Sequence, residues 1–218
     1  MDSCVEVSWG GERLRLFPQR GLLWERTSTL LITDPHFGKA SAFRSIGVPI
    51  PVGTTTDDLE RLDYLLRISA CNRLLILGDF FHHRSGRCAN TMDLLTQWRS
   101  RWPNLEIVLV PGNHDRHSGH PPEEWRVRIV PDCHRDDVFA FCHNPLDNEE
   151  HLVFGGHIHP CITLNDGIGP PVRMPCFYFN QRYALLPAFG SFTGSYRIKP
   201  EPGDRVFPID PTGRIWSI

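Results

Sequence analysis

Leu105-Glu106-Ile107-Val108-Leu109-Val110-Pro111-Gly112-Asn113-His114-Asp115 decides how this chain is read. Its first six residues carry the apolar, β-branched content of a buried strand. Pro111 and Gly112 end that strand, so Asn113, His114 and Asp115 fall on a loop at its C-terminal end. The same event recurs along the chain. Leu30-Leu31-Ile32-Thr33 runs into Asp34-Pro35-His36, and Leu74-Leu75-Ile76-Leu77 runs into Gly78-Asp79. Val138-Phe139-Ala140-Phe141-Cys142 runs into His143, and Leu152-Val153-Phe154 into Gly155-Gly156-His157-Ile158-His159. Each apolar strand delivers Asp, Asn or His just beyond its end. Strands of a parallel sheet share one C-terminal edge, the edge where open α/β sheets bind ligands, so these groups are expected to converge there.

Between these strands lie helices. Thr54-Thr55-Thr56 offers hydroxyls for an N-cap, and Asp57 and Asp58 put negative charge in a first turn. Leu59, Leu62, Leu65, Leu66 and Ile68 then recur at helical spacing to about residue 70. A second helix is expected from about Asn90 to Arg101, with Pro103 beyond its end. The order β-α-β-α-β gives a parallel sheet with crossover helices. Leu14-Arg15-Leu16-Phe17 and Gly21-Leu22-Leu23-Trp24 read as a hairpin around Pro18, and residues 40–53 as irregular. From Val127 onward the pattern is short strands with Gly and Pro turns and no convincing helix. Phe177-Tyr178-Phe179, Tyr183-Ala184-Leu185-Leu186 and Val206-Phe207-Pro208-Ile209 are examples, and a second sheet packed on the first is their natural use.

The 218 residues fit one domain spanning 1–218, with 40% hydrophobic and 22% charged residues. The formal charge of −2 provides no global basic field for nucleic acid, so any polyanion must meet a local patch. The seven cysteines, an odd number without a C-x-x-C pair, point to reduced thiols in a cytoplasmic protein. Neither a signal-peptide core nor a long apolar run is present in the sequence, and no membrane partner is expected.

Asp34, His36, Asp79, Asn113, His143, His157 and His159 are the candidate ligands. A mixed Asp/Asn/His set suits Mn²⁺ first, with Fe²⁺, Zn²⁺ and Co²⁺ also compatible. Seven donors exceed what one catalytic ion with an open position uses. They suit two divalent ions about 3.5–4 Å apart sharing a carboxylate, which points to phosphoester hydrolysis. Any one of these residues alone is ordinary: a turn Asp, a surface His, a strand with two histidines on one face. Their joint placement after successive strands is not. Cys142 reads as a small buried strand residue, and His117, His120 and His134 as surface residues.

Asp34-x-His36, Gly78-Asp79, Gly112-Asn113-His114-Asp115, His143 and Gly156-His157-x-His159 resemble, in order, the five blocks of the calcineurin-like metallophosphoesterases. The resemblance implies a four-layer α/β/β/α sandwich. It assigns Asp34, His36 and His159 to one metal, Asn113, His143 and His157 to the other, and Asp79 to both. His114 would face the phosphoryl group as a catalytic residue. Asp34-x-His36-Phe37-Gly38-Lys39, Pro49-x-Pro51-x-Gly53-Thr54-Thr55, Gly78-Asp79-Phe80-Phe81-His82 and Leu186-Pro187-Ala188-Phe189-Gly190-Ser191-Phe192-Thr193-Gly194 are similar to a bacterial subgroup, the ligase-associated DNA damage response endonucleases. Pro35 departs from the leucine expected there and removes a backbone donor between two ligands. The subgroup implies a phosphodiesterase acting on DNA in repair, in functional association with a DNA ligase, a helicase and an exonuclease. A small-molecule or nucleotide phosphatase on the same fold is the alternative, and a noncatalytic scaffold the third. A homodimer is compatible with either enzyme. Lys39, Arg44, Arg84, Arg87 and Arg116 follow the ligand blocks and are the candidate substrate contacts. No platform of aromatic and basic residues for stacking bases is evident.

Overall fold

The computed structural model describes residues 4–145, 151–165 and 169–218. Its first sheet has seven strands in sequence order. β1 (Val5–Trp9), β2 (Glu12–Phe17), β3 (Gly21–Trp24) and β4 (Thr29–Thr33) pair antiparallel, the expected hairpin being β2 and β3. β4, β5 (Arg73–Leu77), β6 (Glu106–Val110) and β7 (Val127–Ile129) are parallel. The register aligns Thr33 with Leu77 and Leu77 with Val110, so three strands end at one level.

These three strands are apolar on both faces because both faces are covered. Leu31, Leu75 and Val108 point into the core between the sheets, against Phe139, Phe141, Phe154 and Phe177. Leu30, Leu74 and Ile107 point the other way, against Leu62, Leu65 and Leu66 of α2 (Thr54–Ser69) and Trp98 of α3 (Ala89–Arg101).

The second sheet has the order β14-β11-β12-β13-β10-β9-β8, with β15 also on β12. Its strands are β8 (Cys133–Asp136), β9 (Phe139–Cys142), β10 (Leu152–Gly155), β11 (Pro160–Leu164), β12 (Val172–Phe179), β13 (Tyr183–Leu185), β14 (Tyr196–Arg197) and β15 (Arg205–Pro208). Two mixed sheets with flanking helices make the α/β sandwich expected of the metallophosphoesterases. All helices among the described residues precede Val127.

Four local expectations are corrected. The five strand ends belong to two sheets: β9 and β10 are parallel neighbours in the second, and their ends meet those of β4, β5 and β6 across the sandwich. Residues 40–53 are not wholly irregular, since α1 (Lys39–Ser45) occupies their start. It buries only Ala40 and Ala42, which leaves no apolar period to read. α2 is capped by Gly53 at φ 104 rather than by a threonine hydroxyl. Cys133 and Cys142 are disulfide-bonded rather than reduced, because the β8–β9 register puts them directly opposite with Cα atoms 4.4 Å apart. Cys4, Cys71, Cys88, Cys161 and Cys176 are free. No described helix is long and apolar enough to cross a membrane.

Candidate metal centre

The loops beyond β4, β5 and β10 carry their donors on strained backbone. Asp34, His36, Asp79, His157 and His159 have φ of 49°, 47°, 51°, 56° and 50°. Non-glycine residues rarely adopt that left-handed conformation, and its cost is sustained where the surroundings fix it, commonly at active sites. Here the surroundings are specific. His36 N–H donates to Asp79 O at 3.0 Å, and His157 N–H to Asp34 Oδ2 at 3.0 Å. Gly156 is required beside them, since a Cβ there would collide with the Thr33 hydroxyl and the Asp34 carboxylate.

Asp34, His36 and His159 bring one donor atom each within 4.8 Å of one another. Asp34 is fully buried and His36 nearly so. Asp34 Oδ1, His36 Nδ1 and His159 Nε2 are buried without hydrogen-bond partners, although His159 Nε2 is 3.3 Å from Asp34 Oδ1. A buried carboxylate oxygen facing an imidazole nitrogen, with a second imidazole donor close by, fits a cation. Burial opposes ionisation of Asp34, but the nearby rings of His159, His143 and His36 outweigh it and hold the carboxyl down at about 2. Burial pushes His36 down to about 2, against the attraction of Asp34. A charged carboxylate beside a neutral imidazole is the state a metal needs.

Asp34, Asp79 and His143 form a second such group. Asp79 lies between the two sides: Oδ2 is 3.7 Å from His36 Nε2, and Oδ1 is 3.7 Å from His143 Nε2. His143 Nε2 also meets Asn113 Oδ1 at 3.0 Å and His157 Nδ1 at 3.1 Å. Its other nitrogen, Nδ1, donates to Leu77 O at 3.0 Å and so fixes the ring. All seven candidate ligands thus meet in one place. Asn113, His143 and His157 border an open cleft of about 200 Å³.

His114 stands at the edge of this cluster, its Nε2 4.0 Å from Asp79 Oδ2. Its Nδ1 donates to the His82 carbonyl at 2.7 Å, which turns Nε2 toward the centre. The His82 ring stacks on His114 at 4.8 Å, and His36, His82 and His114 make a third group of close donors. Burial, together with Lys39, lowers His82 to about 4.

A family model described as "Calcineurin-like phosphoesterase" matches residues 27–167. The chain belongs to the calcineurin-like phosphoesterases. It is therefore a metal-dependent phosphoester hydrolase of a family that uses divalent ions. A solved structure, the Pseudomonas putida nuclease MPE, is 36% identical, with a TM-score of 0.88 over 99% of this chain and 100% of that one. A protein of unknown function from Aquifex aeolicus, AQ665, is 18% identical at a TM-score of 0.37, over 64% of this chain and 81% of its own. Yfce, a phosphoesterase from E. coli, is 13% identical at 0.41, over 87% and 97%. None of the curated proteins compared matches.

In this phosphoesterase the basic residues named from sequence do not all face the centre. Lys39 does: it is half-buried, lines a small opening with His36, and feels the charges of Asp79 and Asp34. Arg116 pairs with Asp132 at 2.9 Å on the rim of the Asn113 cleft. Arg44, Arg84 and Arg87 brace loops instead. Arg44 donates to the Ile50 and Pro51 carbonyls, Arg84 to His117 O, and Arg87 to Ser118 O while lying over the Phe81 ring.

Two contributors were not visible as such in the sequence. Asp115 is buried and accepts three backbone N–H bonds, from Asp79 at 2.9 Å, Phe80 at 3.0 Å and Gly112 at 2.8 Å. It clamps the two metal loops together. The segment 186–194 closes the other side. Phe189 N–H donates to Thr33 O and Gly190 N–H to Asp34 O, while His159 Nδ1 donates to Gly194 O at 3.0 Å. The short Gly-Asn-His-Asp spacing was the signal for the first, and the Gly and Pro content of 186–194 for the second.

Proposed function

We propose that this chain is a dinuclear phosphodiesterase acting on nucleic acid. Asp34, His36 and His159 would hold one ion, Asn113, His143 and His157 the other, and Asp79 would be shared. The observation that carries this is the convergence of seven donors from two sheets on the buried Asp34 and Asp79 carboxylates. Bound ions would acidify a water and attract the phosphoryl oxygens. The protein's own part is to hold its donors rigid on strained loops and to present His114 Nε2 beside them. His114, its Nδ1 anchored on His82 O, would supply a proton to the departing oxygen from Nε2.

The choice of nucleic acid is supported by likeness to a nuclease over essentially both whole chains. DNA, Mn²⁺, a place in the ligase-associated repair subgroup beside a helicase and an exonuclease, and a cytoplasmic setting belong to the same proposal. The nucleotide phosphatase alternative draws on Arg44, Arg84 and Arg87 being engaged with backbone carbonyls. The test is purified protein with Mn²⁺ against bis(p-nitrophenyl) phosphate, p-nitrophenyl phosphate, cyclic nucleotides and single-stranded DNA. Turnover of the diesters, DNA included, with little of the monoester is expected. Monoester activity alone would favour the phosphatase.

A further inference from the structure

The second sheet carries a groove of about 320 Å³. Ile158, Tyr178, Tyr183, Tyr196, Arg197 and Lys199 line it. The aromatic residues come from three consecutive strands, β12, β13 and β14, and the sheet order that brings β14 to this face is not written in the sequence. Tyr196 is 69% exposed. Tyr178 and Tyr183 pack at 5.8 Å beneath, with the Tyr178 hydroxyl donating to Asp204 at 2.6 Å.

Groove residues adjoin the backbone of the metal loops. Ile158 separates His157 from His159, and Tyr196 N–H donates to His159 O at 2.9 Å. Pro145, on its wall, follows His143 by two residues. Among the described residues neither Arg197 nor Lys199 has an ion-pair partner, so two unneutralised cations edge an aromatic floor beside the phosphate-cutting site. Aromatic faces for bases with free cations for the backbone are what binds single-stranded nucleic acid without sequence preference.

We infer that this groove holds the single-stranded nucleic acid flanking the scissile phosphate, with a base stacked on Tyr196 and phosphates against Arg197 and Lys199. The inference rests on the proposed nucleic-acid substrate. It is tested with Tyr196→Ala, Tyr196→Phe and the double change Arg197→Ala/Lys199→Ala. One measurement is fluorescence anisotropy of a labelled oligothymidylate with metal-free protein. The other is Mn²⁺-dependent kinetics on that oligonucleotide and on bis(p-nitrophenyl) phosphate, which has neither a nucleobase nor a second phosphate. Tyr196→Ala is expected to weaken oligonucleotide binding roughly 5- to 100-fold, the effect of one lost stack. Tyr196→Phe should restore it, and turnover of the small diester should stay at the wild-type level. The double change should flatten the salt dependence of binding by about 0.7 per lost phosphate contact.

Unchanged oligonucleotide binding in both alanine variants, with DNA still cut, would overturn the groove and leave the nuclease reading standing. Wild-type protein that cuts the small diester but neither binds nor cuts DNA would overturn both. Equal losses on both substrates would show that Tyr196 merely props His159. A wild-type dimer in sedimentation that Tyr196→Ala converts to monomer would assign the groove to a second copy of the chain, and overturn the inference as well.

Discussion

Replacing Asp115 tests whether the two metal loops are clamped as described. Its Oδ2 accepts from Asp79 and Gly112, and its Oδ1 from Phe80, all buried. Asn can keep the first pair through its amide oxygen, but its NH₂ then opposes the Phe80 N–H. The loss is one charge-assisted bond, about 1.5–3 kcal/mol. At roughly 2–4 °C per kcal/mol for a chain of this size, Tm should fall by about 3–12 °C. Alanine would strand three buried N–H groups at about 1–3 kcal/mol each, comparable to the whole stability of a domain. Asp115→Asn is therefore the informative variant. Differential scanning calorimetry should record the Tm drop. Isothermal titration with Mn²⁺ should record weakened metal binding, because the backbone of Phe80, next to Asp79, is released. A Tm within 1 °C of wild type together with unchanged Mn²⁺ affinity, both far outside the roughly estimated loss, would refute the clamp.

Other changes read other parts of the site. Asp79→Ala should abolish diester turnover and lower the metal content measured by mass spectrometry, with the far-ultraviolet circular dichroism preserved. Gly156→Ala forces a methyl against Thr33 and Asp34, so metal binding should fail while the protein remains folded; normal metal affinity in that variant would contradict the described packing. His114→Asn should retain metal but lose roughly 10²–10⁴-fold in rate on an alkyl diester and less on a nitrophenyl diester, whose leaving group needs little protonation. Equal losses on the two diesters would replace proton donation by charge stabilisation.

The parallel strands and the candidate ligands were legible because their signals are local. Each strand is an apolar run covered on both faces, and each ligand lies within a few residues of its end. α1 was not, since its buried face is two alanines. Nor was the disulfide, which depends on a β8–β9 register that a cysteine count does not contain. Asp115 shows locally only as the end of the Gly112–Asp115 loop, its bonds to Asp79 and Phe80 lying 36 and 35 residues away, and the tyrosine groove depends on the order of three strands in the sheet. The arginines mislead in the opposite sense. Position after a ligand block places them near the centre, but side-chain direction is set by which carbonyls lie open, and those belong to residues 50, 51, 117 and 118.

The central claim is that Asp79 lies between two ions held by donors from both sheets. Anomalous diffraction at the manganese edge, from crystals soaked in Mn²⁺, tests it directly. Two peaks about 3.5–4 Å apart on either side of the Asp79 carboxylate are expected, one against Asp34, His36 and His159 and one against Asn113, His143 and His157. A single peak at saturation, or a peak among His36, His82 and His114 with Asp79 unbound, would contradict it.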